Sequence, residues 1–213
     1  ENIDYLDAVD LQFDLVDVVL HMNFYQASKD GQEFDLSQIL EGSLMQTRPD
    51  FAVTFVDNHD SQRGQSLEST VADWFKPLAY SLIMLRQEGK PCLFYGDYYG
   101  IEGEFAQASF KDIIDKLAYL RQNHVYGNQV DYFDHPNCIG WVNQGDEAHP
   151  EPLAVVMSNS DAGWKDMEIG QWHAGRIFRD YLGHSQEEVV VDDAGWGSFP
   201  VQAGSVSAWI PRD

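Results

Sequence analysis

The sequence predicts an α/β segment built on a parallel sheet, followed by an antiparallel all-β domain. Short, nearly continuous apolar runs at residues 13–20 (FDLVDVVL), 51–56 (FAVTFV) and 92–95 (CLFY) suit parallel strands covered on both faces. Helix-like stretches lie between them, and that alternation implies right-handed crossovers. From about residue 128 the style changes to short apolar runs separated by Gly, Asp and Asn, which is the pattern of antiparallel sheet.

Each element has its own reason. Pro49 and Asp50 precede the second apolar run, and Gly89, Pro91 and Gly96 frame the third. Residues 36–44 (LSQILEGSL) form a plausible short helix. Residues 66–86 carry apolar positions at helical spacing (Val71, Trp74, Phe75, Leu78, Leu82, Leu85), with Pro77 expected to kink or break the helix. Residues 110–124 read as an amphipathic helix through Ile113, Ile114, Leu117 and Leu120, stopped near Gly127. Beyond it, CIGWV, LAVVMSN, DMEIG, RIFRDYL, EEVVVDD and SVSAWI read as strands. Leu153, Val155, Trp164, Ile177, Val189 to Val191, Val206 and Trp209 are expected to form one core there. The division falls at 1–127 and 128–213, the latter an antiparallel β-sandwich. Three strands with crossovers cannot close a barrel and leave an open edge. Either the first part is a small open sheet, or upstream strands are missing.

Composition narrows the function classes. The net charge is −22, from 35 acidic and 13 basic residues, a field that repels nucleic acid and anionic membrane surfaces. No run of about 18 apolar residues occurs, so no membrane-spanning helix is expected. The opening ENIDYLDAVD has neither the basic nor the apolar region of a signal peptide and reads like the middle of a protein. Cys92 and Cys138 lie in apolar runs without disulfide or zinc spacing, and are expected as buried thiols. That leans towards a cytoplasmic, reducing compartment, with secretion the alternative.

The most informative segment is Phe55-Val56-Asp57-Asn58-His59-Asp60, where an apolar strand runs straight into polar residues. In a barrel these lie at the C-terminal end of the strand, where active sites sit. Asp60 can bind sugar hydroxyls or stabilise a cationic transition state, with His59 and Asn58 adding hydrogen bonds. By pattern alone, the same residues can equally form a turn and cap a following helix.

The segment from Ala52 to Gly100, with FVDNHD, WFKPLAY and PCLFYGDYYG, resembles the α-amylases of glycoside hydrolase family 13, bacterial liquefying and intracellular branch. The likeness continues through YFDHPNCIGW and GWGSFPVQAGSVSAWI, covering nearly the whole chain. It implies the C-terminal part of a (β/α)8 TIM barrel (strands six to eight) followed by an antiparallel all-β terminal domain. It implies an α-glucan substrate such as starch, glycogen or maltodextrin, cleaved with retention. Asp60 would be the catalytic-site carboxylate that holds the sugar's 2- and 3-hydroxyls and helps distort the ring, and His59 and Asn58 would bind substrate, Asn58 and Asp57 more by shaping the loop. The family's nucleophile Asp and general-acid Glu stand in contexts (G-[FY]-R-x-D-A and V-x-E-[YW]-W) absent here, so a missing N-terminal barrel segment, on the same or another chain, would supply them. The rival is a non-catalytic carbohydrate-binding or regulatory remnant.

Other residues stay open. Asp97 is placed either at the barrel mouth or in loop structure, and Tyr95, Tyr98 and Tyr99 either stack on sugar or pack inside. His21 belongs to core or mouth, Gln62 and Arg63 to cleft or solvated loop. No metal site is expected in this chain. The resemblance implies calcium for the complete enzyme, with ligands mostly outside these residues. Some relatives carry a further calcium site bridging barrel and terminal domain. Asn137 and Asn159 stand where those relatives have acidic ligands, and neutral amides lower the charge available to Ca²⁺.

Overall fold

The computed structural model describes Ala8 and residues 12–212. The rest of the opening segment, on which the signal-peptide reading rests, lies outside the described residues. The first sheet is parallel, with strands β1 (Leu15–Val16), β2 (Ala52–Phe55) and β3 (Lys90–Cys92) in that order. The apolar run at residues 13–20 does not continue as a strand. Asp17 caps helix α1 (Val18–Asp30), its carboxylate accepting from Leu20 N at 3.2 Å and from Met45 N at 2.7 Å. A side chain that satisfies helical amides turns VVL into a first turn.

Residues 36–44 likewise do not form one helix. A 3₁₀ turn at Leu36–Gln38 is followed by a short α2 (Leu44–Thr47), and Gly42 between them sits at φ 71°. Pro77 starts a helix instead of breaking one. It occupies the first turn of α3 (Lys76–Leu85), where its missing N–H costs nothing. Residues 66–75 are loop and turn, although Val71 and Phe75 are buried there. Tyr95, read as strand, opens the short helix α4 (Tyr95–Tyr99). Helix α5 (Lys111–His124) follows.

The second sheet is antiparallel with six strands, β4 (Gln129–Tyr132), β5 (Cys138–Asn143), β6 (Leu153–Ser158), β11 (Val206–Pro211), β8 (Ile177–Asp180) and β9 (Glu188–Val190) in spatial order. A separate ribbon pairs β7 (Gly163–Glu168) with β10 (Trp196–Val201). The sequence reading missed β4 and β10. β4 is only four residues long with Gln129 and Asp131 among them, and β10 carries Gly197 and Pro200, both poor strand formers.

The expected single core of the β domain is two cores, because side chains alternate along each strand. Ile139, Trp141, Leu153, Val155, Met157, Val206, Ala208 and Ile210 face the helices and join the cluster that contains Leu78, Leu82, Leu85, Leu117 and Leu120. Val142, Ala154, Val156, Phe178, Val189, Val191 and Trp209 face the ribbon and meet Met167, Phe199 and Val201. Trp164, Ile177 and Val190 belong to neither, being exposed. The apolar cluster is therefore continuous from α1 to β11. Among the described residues no helix is long and apolar enough to cross a membrane.

Candidate functional site

β2 delivers the site. Directly after it the chain turns back on itself, and the turn is closed by its own side chains. Asn58 Oδ1 accepts from Asp60 N at 2.8 Å and from Ser61 N at 2.9 Å. Ser61 Oγ accepts from Asn58 N at 2.9 Å and donates to Asp57 Oδ1 at 3.0 Å. Such Asx-type bonding replaces backbone partners and fixes a turn without a helix or strand. The oxygen of Asn58 is thus committed to the loop.

The next two side chains are left facing outward. His59 and Asp60 are 82% and 57% exposed, with His59 Nε2 3.6 Å from Asp60 Oδ1. Asp60 borders a cleft of about 620 Å³ lined also by Val16, His21, Phe55, Asn58 and Leu67. Its lining mixes apolar side chains such as Val18 and Met22 with polar ones such as Ser61, Glu68 and Ser69, the kind of surface that small-molecule sites present. His59 does not line it.

His21 forms part of the wall and is buried. Its Nδ1 lies 2.6 Å from Val56 O, its Nε2 lies 2.8 Å from Ser69 Oγ, and its ring stacks on Phe55 with centroids 4.9 Å apart. Burial holds its pKa below the usual 6.5, against the opposing pull of the Val56 carbonyl and Asp57. Arg63 turns towards Asp73, 3.6 Å away, and Gln62 Nε2 donates to His59 O at 3.3 Å.

Behind the turn lies a polar network that sequence reading did not find. Lys76, wholly buried, reaches Asp57 Oδ2 at 2.9 Å, donates to Asp97 Oδ1, and donates to Gln107 Oε1 at 3.0 Å. Asp97 also accepts from Tyr80 Oη and from Gln107 Nε2 at 2.6 Å. Asp97 is therefore fully buried, away from any mouth. Burial pushes the Asp57 carboxyl above the usual carboxylate range, and the Lys76 ammonium pulls it back. Burial and the Asp97 carboxylate together push the Tyr80 phenol well up. The available signal was Lys76 itself, a single cation inside the apolar stretch WFKPLAYSLIML. The network ties the exit of β2 to α3 and α4, and so fixes the base on which Asp60 stands.

Tyr95 and Tyr99 are exposed and packed on each other at 4.6 Å, while Tyr98 donates to Asp115 Oδ1 at 2.7 Å. Cys138 is buried, as expected, but Cys92 is exposed at the end of β3, an edge of the described sheet. Among the described residues no group of three or more His, Cys, Asp and Glu is placed to hold a metal ion.

A carboxylate just beyond the C-terminal end of a parallel strand stands where (β/α)8-barrel enzymes carry their active-site residues. The chain aligns in structure with an α-amylase from Geobacillus thermoleovorans solved with acarbose, at a TM-score of 0.62 and 17% identity, over 89% of this chain and 47% of that one. That likeness shows the fold. Sequence goes further. Residues 153–210 match the family described as Alpha-amylase C-terminal. The chain is 47% identical over 199 residues to an α-amylase from Geobacillus stearothermophilus, covering 93% of this chain and 36% of that protein. It is 45% identical over 209 residues to a glucan 1,4-alpha-maltohexaosidase from Bacillus sp. (strain 707), covering 98% of this chain and 40% of that protein. The chain belongs to the α-amylases of glycoside hydrolase family 13, and corresponds to their C-terminal portion. It spans well under half the length of either relative.

Proposed function

We propose that the chain is part of an endo-acting α-amylase that hydrolyses α-1,4-glucosidic bonds in starch, glycogen or maltodextrins with retention. Residues 1–127 would be the last part of the catalytic barrel and residues 128–213 its terminal β domain. The observation that supports this most is Asp60, a half-exposed carboxylate just beyond the end of β2, on the rim of the cleft, with its backbone fixed by Asn58. In the complete active site Asp60 would accept the hydroxyls of the bound sugar and stabilise positive charge at the ring as the bond breaks. Its neighbour His59 would add a hydrogen bond to the same sugar. Retaining cleavage needs a nucleophile and an acid about 5–5.5 Å apart, and both would come from outside this chain. Calcium, proposed for the complete enzyme, would likewise draw on residues outside it.

The test is Asp60→Asn in the full-length protein, which keeps size and shape and removes the charge. It is expected to lower kcat by about 10²–10³-fold, as removal of a transition-state contact does, with the unfolding midpoint unchanged. A near-wild-type kcat would make Asp60 a loop residue and end this reading.

A further inference from the structure

The seam between the loop after α1 and the terminal sheet is closed by two side-chain amides. Asn159, 5% exposed beside the end of β6, donates from Nδ2 to Gly31 O and to Phe34 O, both at 2.8 Å. Asn137 donates from Nδ2 to Gln32 O at 2.7 Å and to Asn159 Oδ1 at 3.0 Å. The main chain adds Asn159 N to Asn137 O at 3.3 Å and Leu36 N to Pro136 O at 2.7 Å.

Carbonyl oxygens only accept, so whatever faces residues 31, 32 and 34 here must donate or carry positive charge. A converging set of backbone carbonyls is the kind of oxygen array that Ca²⁺ takes when carboxylates complete it. A carboxylate at position 137 or 159 would oppose those carbonyls with another acceptor and would need a cation between them. The amides present need none, because their N–H groups occupy the space and satisfy the oxygens directly. The donor set therefore does not fit calcium.

We propose that this seam is a metal-free clasp, in which Asn137 and Asn159 join the barrel segment to the terminal sheet in place of a bridging divalent cation. The proposal concerns structure and does not depend on Asp60 or on catalysis.

Thermal unfolding of the full-length protein tests it, with the wild type, Asn159→Ala and Asn159→Asp each measured in EDTA and in millimolar CaCl₂. Differences between variants cancel any calcium site elsewhere in the polypeptide. Asn159→Ala removes both amide bonds, leaving Gly31 O with only the Phe34 amide at 3.1 Å and Phe34 O without its Asn159 donor, and should lower Tm by about 5 °C, equally in EDTA and in calcium. Asn159→Asp keeps the shape but presents acceptors, so its Tm should fall in EDTA and recover in calcium, a response absent from the wild-type seam. A wild-type advantage over Asn159→Ala that exists only in calcium overturns the clasp. So does an Asn159→Asp variant as stable as the wild type in EDTA. If Asn159→Ala does not fold, Asn137→Ala removes only the Gln32 and Asn159 contacts and permits the same comparison.

Discussion

Lys76 Nζ lies 2.9 Å from Asp57 Oδ2 with both side chains closed off from solvent, directly beneath the turn that carries Asp60. One ammonium here serves two buried carboxylates, those of Asp57 and Asp97. Charges removed from water persist only when paired and hydrogen-bonded, and Ser61 and Val71 donate to Asp57 Oδ1 while Tyr80 and Gln107 donate to Asp97.

Lys76→Met should therefore destabilise the protein by about 3–5 kcal/mol, because it strands two buried anions and replaces no packing of comparable worth. Asp57→Asn in the Lys76→Met background should recover part of the loss, since neighbours in one network are not additive. Chemical denaturation of the single and double variants checks this. Equal stability of Lys76→Met and wild type would mean that the network carries no weight.

The 213-residue chain by itself should leave soluble starch intact. On the function proposed above it would supply a stabilising carboxylate and no acid and nucleophile pair. Reducing-sugar release by the purified chain, at the usual enzyme turnover of roughly 1–10³ per second, would show that those roles are filled from within it.

His21 makes stability depend on pH in a definite direction. Burial lowers its folded pKa below 6.5. The unfolded chain thus takes up its proton first as pH falls, so stability is full above 6.5 and declines below it until the folded ring also protonates. The slope attributable to His21 cannot exceed about 1.4 kcal/mol per pH unit. His21→Asn should flatten the dependence between that pH and the acid side of the window. Unfolding free energies at several pH values, compared as slopes, isolate this from any change in packing.

Trp141→Ala should cost about 3–5 kcal/mol and act on both halves of the chain. The indole fills the cluster shared by α3, α5 and the six-stranded sheet, and donates to Leu85 O at 3.0 Å. Isolated residues 128–213, in turn, would expose that whole face, so they should self-associate in sedimentation experiments. A monomeric, cooperatively folding 128–213 would show that the sheet does not rely on the helices.

What the sequence disclosed follows physical range. FVDNHD was readable because strand, turn and carboxylate are contiguous, and the turn chemistry of Asn58 is local. The pairing of Lys76 with Asp57, Asp97 and Gln107 was not, since its members come together only when three separate elements pack. The run at residues 13–20 misled for the opposite reason. Its β-branched residues outweighed Asp17, whose capping bond is decisive only once the helix exists. Two-faced burial in β5, β6 and β11 also looks in sequence like one core. Apolar continuity does not say which neighbour covers which face.

Leu85 O accepts from both Trp141 Nε1 and Asn143 Nδ2, each at 3.0 Å, so the C-terminal end of α3 is stopped by a strand from the other sheet. A helix end held in this way cannot fray by itself. Opening the last turn of α3 would tear two donors out of β5, which means helix and strand form a single cooperative unit. In native-state hydrogen exchange, the amides of that turn should then share one opening free energy with those of β5, and approach the global value for the protein.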